Sequence, residues 1–285
     1  MLLKSNPLVS VVITTYNCEK FVEECIESVQ KQDYPNIEII VMDDASTDNT
    51  VEIASRVLKR SKQNSTIKRN GANYGERVTS AYGFAMANGE YICRLSGDDA
   101  FVNSDHITKQ VAEMEKYDLD WCYNSISRIG SAIEDSVVSQ TPWVPIPVRY
   151  SAKFFHIFDN CFLQFPNVCY LIALRRNPVN SSALMVRRCV YEHSDIPKRL
   201  VAIEGLRSIW DGSLLGYMFL KKYKCKAIHS MGAFYRIHLD QATGKPETNK
   251  DLKRTLSELY DLAEHDTNPL WMCIVAKCMR YYYGL

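Results

Sequence analysis

The sequence predicts an α/β protein in which helices flank a mostly parallel central sheet. Short apolar runs rich in Val and Ile indicate buried strands, and the segments between them repeat their apolar residues at helical spacing. The links between the two kinds of segment are short, which is typical of βαβ units. Because parallel strands need crossover connections, helices are expected on both faces of the sheet.

The first 130 residues contain five predicted strands. Each is short and apolar, and the turn signal "DYPN" stands before the second of them. The predicted strands cover residues 8–14, 37–42, 65–70, 90–95 and 120–129.

Four helices are predicted between these strands. The first has its apolar residues on one face, and the second opens with "STDNT", whose hydroxyl and acidic side chains suit a helix N-cap. The predicted helices cover residues 19–32, 46–60, 76–88 and 105–117.

The alternation of strands and helices ends near residue 130, at the Pro-rich stretch "TPWVPIPVRY". We therefore expect residues 1–130 and 131–250 to form two halves of one domain, followed by a helical extension over 251–285. The last helix has an apolar face with Lys277 and Arg280 beside it. That face could pack on the domain or on a second copy of the chain, or it could lie on a membrane surface.

Composition and charge set broad limits on function. The 285 residues are 46% hydrophobic and 24% charged, and the net charge is +1, so a globular chain with no nucleic-acid partner is expected. No apolar run is long enough to cross a bilayer, and no signal peptide is recognisable. The ten cysteines are scattered and lack zinc-site spacing, which favours reduced thiols and a cytoplasmic location.

Polar residues follow four of the predicted strands, at the carboxyl end of each. Ligands of open parallel sheets bind at this edge. One such cluster alone is well explained as a turn or a helix cap, but four of them at one edge indicate a site. The clusters contain Thr14 and Tyr16, Asp43 and Asp44, Asn73 and Gly75, and Asp98 and Asp99.

The chemistry of this predicted site is acidic. No GxGxxG or GxxxxGK[ST] motif follows the first strand, so neither a dinucleotide site nor a phosphate-binding loop is indicated. Asp98 and Asp99 in "RLSGDDAF" could hold Mg²⁺ or Mn²⁺, which commonly bind between carboxylates and substrate phosphates. A tight turn that caps a helix remains the alternative for this pair.

Several of these motifs, in this order, resemble family 2 glycosyltransferases. The resemblance is carried by "VSVVITTYN", "IIVMDDASTDNT", "NYGERVTSAYGFAMANGEYICRLSGDDAF", "WDGSLLGYMFL" and "AFYRIHLDQAT". It implies a Rossmann-like GT-A fold and an inverting transfer of a hexosyl or N-acetylhexosaminyl group from a nucleotide diphosphate sugar, UDP-linked, with Mn²⁺ or Mg²⁺. The implied acceptor is a glycan or a lipid-linked glycan in polysaccharide biosynthesis.

The resemblance also implies roles for residues at the predicted edge. Thr14 and Tyr16 would lie against the nucleotide. Asp44 would accept a hydrogen bond from the base, with Asp43 supporting it.

Further roles fall on the next two clusters. The resemblance places Asn73 and Arg77 at the nucleotide and Asp98 near the ribose. Asp99 would then be the direct metal ligand.

The implied general base is Asp211 of "IWDGSLL". Trp210 stands where the family often has Glu, so Glu204 is a second candidate for the base. A helix N-cap is the alternative role for Asp211.

In "FYRIHLDQAT", Arg236 and His238 alternate along a strand-like run, so both are expected on one face. Arg236 could bind the diphosphate, and His238 could complete the metal shell or have a structural role. Lys245 could close over the phosphates.

Two other functions remain possible at this point. A nucleotide-sugar-binding subunit without catalysis would also need the acidic edge. A sugar-phosphate nucleotidyltransferase would need a Gly-rich basic loop after the first strand, and "TTYNCEK" does not provide one.

Overall fold

The first half of the chain folds as the sequence predicts. The computed structural model describes residues 6–129, 181–192, 218, 223–238 and 241. The five predicted strands are β1 (Val9–Thr15), β2 (Ile37–Asp43), β3 (Asn64–Arg69), β4 (Tyr91–Ser96) and β6 (Trp121–Ile129). The four predicted helices are α1 (Val22–Gln30), α2 (Thr50–Leu58), α3 (Glu76–Met86) and α4 (His106–Tyr117).

Further elements complete the described structure. A two-residue strand follows β4, and the second half supplies a 3₁₀ turn, two strands and a short helix. These are β5 (Ala100–Phe101), the 3₁₀ turn (Ser181–Ala183), β7 (Leu184–Arg187), α5 (Arg188–Glu192) and β8 (Cys225–Arg236).

The strands form one sheet in the order β3-β2-β1-β4-β7-β6-β8-β5. β7 runs antiparallel to β4 and β6, and β5 runs antiparallel to β8, while the other pairs are parallel. The predicted mostly parallel sheet flanked by helices is confirmed.

Alternate residues of the central strands face opposite layers of helices. The largest core cluster joins one face of β1, β2 and β4 to apolar residues of α1, α2 and α4. α3 packs on the other face, so closely that a Cβ atom at Gly83 would lie 2.4 Å from Cγ1 of Val12. The carboxyl edge of the sheet therefore lies between two layers of helices.

The prediction of one strand-like run through both Arg236 and His238 is wrong for His238. β8 ends at Arg236, and the Ile237 N–H donates to the carbonyl of Ile129 at the end of β6. His238 lies beyond the strand, so the period of two does not determine its direction. The C-terminal helices predicted within 251–285 lie outside the described residues, as does most of the range 131–250.

Candidate active site

The carboxyl ends of β1, β2 and β4 lie side by side. Thr15, the last residue of β1, pairs in register with Asp43, the last residue of β2. On the other side, Thr14 pairs with Ser96, the last residue of β4. The polar clusters that follow these strands in the sequence are therefore neighbours at one edge.

Asp43 forms hydrogen bonds that join the end of β1 to the end of β2 and to the turn after it. Its fully buried carboxylate accepts hydrogen bonds from Thr15 Oγ1 at 2.9 Å and from the backbone N–H and hydroxyl of Ser46 at 2.9 and 2.5 Å. Nε of Arg69 lies 3.5 Å from its second oxygen. Because all of these groups belong to the protein, Asp43 fixes the turn that carries the next residue, Asp44.

Asp44 organises the loop between β3 and α3. Its buried carboxylate accepts the side-chain amide of Asn70 at 2.9 Å and the backbone N–H groups of Tyr74 and Gly75 at 2.8 and 2.7 Å. Gly75 has φ of 90°, a conformation that glycine adopts readily, just before α3 begins. A carboxylate offers about four acceptor positions. Among the described residues, the three donors leave one position on Oδ2.

Hydrogen bonds join the β1–α1 loop to the β2–α2 loop. The Asn17 N–H donates to Ser46 Oγ at 2.9 Å, and the Thr47 N–H donates to Asn17 Oδ1 at 2.8 Å. The Cys18 N–H donates to Thr50 Oγ1 at 2.8 Å. These bonds make a rigid rim around the edge of the sheet.

Helix α2 begins later than the predicted residue 46, and an acidic side chain of "STDNT" accepts its first N–H. α2 begins at Thr50, and the residue before it makes no side-chain cap hydrogen bond. Instead, Asp48 accepts the N–H of Glu19 at 3.1 Å and that of Thr50 at 3.0 Å. The motif is used to join two loops, a role that local helix signals do not reveal.

The two adjacent carboxylates differ in their surroundings. Asp99 is 2% exposed and accepts Ser182 Oγ at 2.5 Å and the backbone N–H of Arg236 at 2.9 Å. Burial and the neighbouring charge of Asp98 raise the pKa of the Asp99 carboxyl well above its ordinary value. The Asp98 side chain is 28% exposed and lies 3.1 Å from Nε2 of His238.

Arg236 lies at the acidic pair as predicted, but its guanidinium has protein partners. Its Nε donates to the carbonyl of Asp98 at 2.9 Å, and Nη2 pairs with Glu24 at 2.7 Å. The Phe21 ring lies 4.7 Å from the guanidinium and 5.0 Å from the ring of His238. A diphosphate contact by Arg236 stays a prediction, and it would require exchange of the Glu24 carboxylate.

A divalent metal ion fits Asp98 and His238 by donor chemistry. A carboxylate oxygen and an imidazole nitrogen, 3.1 Å apart and partly exposed, supply two of the ligands that such an ion needs. Within the described residues, no group of three or more His, Cys, Asp or Glu side chains forms a complete set. Mg²⁺ and related ions commonly take the remaining ligands from phosphates and water. Direct metal binding by Asp99 stays a prediction. Because protein donors already bind the Asp99 carboxylate, the structure favours Asp98 as the direct ligand.

The other residues predicted to contact the nucleotide differ in their exposure to solvent. Tyr16 is half exposed beyond β1, whereas Thr14 is buried. Arg77 is fully buried in α3, and Asn73 lies in the loop before that helix. Nucleotide contacts by these residues stay predictions. The candidate bases Asp211 and Glu204, and also Lys245, lie outside the described residues.

Sequence reasoning missed Arg94, which lies in the middle of β4 and is 1% exposed. Its guanidinium donates to Thr14 Oγ1 at 3.0 Å, Ser80 Oγ at 3.2 Å, and also to Ser181 Oγ and the Glu76 carboxylate. The sequence contained a signal for this residue, namely a cation inside the apolar run "YICRL". Because buried charges need partners, such a cation indicates a buried polar network.

Comparison with known sequences identifies the family. The sequence model described as "Glycosyl transferase family 2" matches residues 10–181, more than half of the chain. The chain belongs to glycosyl transferase family 2.

Similar proteins agree with this assignment. The chain is 31% identical over 192 residues to an uncharacterized glycosyltransferase of Haemophilus influenzae, covering 67% of this chain and 55% of that protein. It is 35% identical over 120 residues to the Escherichia coli UDP-Glc:alpha-D-GlcNAc-diphosphoundecaprenol beta-1,3-glucosyltransferase WfaP, covering 41% of this chain and 45% of WfaP. The chain spans about half the length of these relatives.

The fold agrees with that of S. aureus TarS 1-349 in complex with UDP-GlcNAc. The TM-score is 0.71 at 19% identity, over 98% of this chain and 73% of TarS 1-349. The GT-A fold is therefore confirmed for this family 2 chain. Among the helices within the described ranges, none is long and apolar enough to span a membrane.

Proposed function

We propose that this chain transfers a sugar from a nucleoside diphosphate sugar, UDP-linked, to a hydroxyl group of a glycan or lipid-linked glycan. One observation carries the proposal: Asp44, with one acceptor position that no described residue fills, shares a sheet edge with the Asp98–His238 pair. The Asp44 carboxylate can accept an N–H of a base, and the Asp98–His238 pair can hold a metal ion that binds a diphosphate. A nucleotide sugar presents both features on one molecule.

The choice of donor and acceptor rests on similar proteins. The name of WfaP gives UDP-glucose as its donor and a diphosphoundecaprenol-linked sugar as its acceptor. TarS was solved with UDP-GlcNAc. We extend a UDP-linked hexosyl or N-acetylhexosaminyl donor and a lipid-linked acceptor to this chain, which places it in polysaccharide biosynthesis.

The base and ribose would be held by the β1, β2 and β4 ends. Asp44 accepts a base N–H, with its own position fixed by Asp43 and by the N–H groups of the β3–α3 loop. Tyr16, half exposed beyond β1, offers an aromatic face to the nucleotide. These groups are in place before the donor arrives, so little ordering is needed on binding.

The diphosphate would lie over the acidic pair. Asp98 and His238 would hold Mn²⁺ or Mg²⁺, and such an ion supplies Lewis-acid stabilisation of the departing diphosphate. Ser182 and the backbone of Arg236 hold Asp99, which keeps the loop that carries Asp98 in a fixed position. In this proposal Asp99 orients the loop, whereas the sequence favoured it as the direct ligand.

Asp211 would accept the proton of the acceptor hydroxyl, which attacks the anomeric carbon on the face opposite the diphosphate. One displacement inverts that carbon. Replacing Asp211 with Asn separates an enzyme from a binding subunit that lacks catalysis. We expect loss of transfer with unchanged donor affinity; transfer at the wild-type rate would show that Asp211 is not the base.

A lipid-linked acceptor would place the chain at the cytoplasmic face of a membrane. Residues 251–285, for which the sequence predicts a helix with Lys277 and Arg280 beside an apolar face, are the proposed contact with that surface or with a second copy. Flotation with anionic liposomes, and the mass of the chain in solution, distinguish these two contacts.

The first test is a thermal-shift series with nucleotides and nucleotide sugars, with and without Mn²⁺. A ligand that binds the folded state must raise Tm by mass action. We expect UDP to raise Tm more with Mn²⁺ than without it, and Asp98→Asn to abolish the difference. If no nucleotide raises Tm with any metal ion, the proposed donor site is wrong.

A further inference from the structure

Arg94 is a buried cation whose hydrogen-bond partners lie on both sides of the candidate site. It pairs in register with Val12 in the interior of the sheet, on the face that packs against α3. A buried charge is costly, and a well-packed apolar residue at such a position is often at least as stabilising. The guanidinium instead has four hydrogen-bond partners on three separate elements.

One set of contacts leads to the base side of the site. Arg94 pairs with Glu76, the first residue of α3, and donates to Ser80 on the next turn at 3.2 Å. The residues just before Glu76 are Tyr74 and Gly75, whose N–H groups bind Asp44. Fixing the first turn of α3 therefore fixes the two donors that hold the Asp44 carboxylate.

The other set leads to the acidic pair. Arg94 donates to Ser181 in the 3₁₀ turn. The next residue, Ser182, donates to Asp99 at 2.5 Å and accepts the Ser96 N–H at 3.2 Å. Fixing Ser181 therefore fixes the serine that holds the Asp99 carboxylate and the end of β4.

We propose that Arg94 is a positioning residue that holds both the base-binding side of the donor site and its metal-binding side. The inference rests on the proposed function, because both sides belong to one donor. Arg94 is placed to do this because its planar guanidinium presents five N–H donors in a fixed geometry. Lys keeps the charge but presents a compact point charge that cannot reach all four partners at once.

Three variants test the base-binding side and the metal-binding side, two of them one side at a time. Glu76→Gln removes the charge partner on the base side, and Ser181→Ala removes the partner on the acidic side. Arg94→Lys disturbs both. Ile92→Val is the matched control, since Ile92 is buried in the same strand on the same face and its aliphatic side chain forms no hydrogen bond.

Isothermal titration with UMP in EDTA measures the base side, and the gain in UDP affinity on adding Mn²⁺ measures the acidic side. For Arg94→Lys we expect roughly tenfold weaker UMP binding and a roughly tenfold smaller Mn²⁺-dependent gain, the size of one charge-assisted hydrogen bond on each side. We expect Glu76→Gln to weaken UMP alone and Ser181→Ala to reduce the Mn²⁺-dependent gain alone. Ile92→Val should lower Tm and leave both readings at their wild-type values.

This role of Arg94 is wrong if Arg94→Lys changes only one reading, or if Ile92→Val produces the same losses. If Arg94→Lys fails to fold, Glu76→Gln and Ser181→Ala test the proposal instead. The proposal is overturned if each of these variants changes UMP binding and the Mn²⁺-dependent gain equally, or if neither variant changes either quantity. A wild-type chain that binds neither UMP nor UDP would refute the proposed donor. A wild-type chain that binds both, with variants that show no such pattern, refutes only the role of Arg94.

Discussion

Replacing Asp44 with Asn should destabilise the fold strongly, although the two side chains have nearly the same shape. The Asp44 carboxylate receives three N–H donors, two from backbone and one from Asn70. An Asn side chain has one acceptor oxygen and an NH₂ group that donates. In either orientation, the NH₂ group therefore faces an N–H group.

The magnitude follows from these contacts. Hydrogen bonds to a charged group contribute about 1.5–3 kcal/mol each, and a buried donor left without a partner costs about 1–3 kcal/mol. Gly75 donates to Oδ2, while Asn70 and Tyr74 donate to Oδ1. The mildest orientation puts the new amide at Oδ2 and loses one bond, so we expect a loss of about 2.5–6 kcal/mol in the free energy of unfolding.

Urea unfolding followed by circular dichroism measures this loss as a lower midpoint at unchanged m-value. Asp48→Asn is the matched control, because Asp48 also accepts two backbone N–H groups but lies on the rim of the site. We expect that variant to lose less than half as much stability. A loss below about 1 kcal/mol for Asp44→Asn would show that the loop before α3 is not held by this carboxylate.

Three further predictions test the packing, a buried histidine and the Arg236 contact. A Cβ atom at Gly83 would lie 2.4 Å from a β1 methyl group, whereas one at Gly71 would meet nothing within 4 Å; Gly83→Ala should cost about 1–3 kcal/mol in urea unfolding, and equal losses for the two variants would contradict the packing of α3. Burial lowers the pKa of His106 to about 3, and its two ring nitrogens have no partner among the described residues. The native state then binds fewer protons than the unfolded state below pH 6.5, so stability should fall by about 1.4 kcal/mol per pH unit from there toward pH 3; His106→Leu should flatten this slope, and an unchanged slope would refute the assignment. If Arg236 exchanges Glu24 for the diphosphate, Glu24→Gln should tighten UDP binding by up to about fivefold, the strength of an exposed ion pair; weaker UDP binding in a titration would mean that the Glu24 contact positions Arg236 instead.

The fold of the first half was predictable because its signals are local. The apolar runs that form β1 and β2 are buried along their whole length, as expected for parallel strands covered on both faces. Helix boundaries were less accurate. The segment "STDNT" has the side chains of an N-cap, yet Asp48 and Thr50 bind the opposite loop, and a local pattern contains no information about that partner.

The site was predictable as a set of strand ends but not as a set of contacts. Four polar clusters after parallel strands must share an edge, and the pairing of Thr15 with Asp43 confirms the principle. One partner of the Arg236 guanidinium, Glu24, comes from α1, 212 residues earlier, so sequence spacing could not reveal this ion pair. Arg94 was visible in the sequence as a cation in an apolar strand, but its partner Ser181 lies 87 residues later, where no local pattern indicates the contact.

Two adjacent carboxylates, Asp98 and Asp99, can follow a core strand because their side chains lie in different environments. Asp99 turns inward, where a hydroxyl and a backbone N–H satisfy it, and that bond ties the strand end to β8 and to the 3₁₀ turn. Successive side chains leave the backbone in different directions, so holding Asp99 inward leaves Asp98 at the surface beside His238. The donors to Asp99 offset only part of the cost of burying its carboxylate, since its pKa stays raised, and the gain is a second carboxylate whose position is fixed before any ligand binds. On this reasoning the inward acid is needed for the geometry of the outward one, and the two cannot exchange roles.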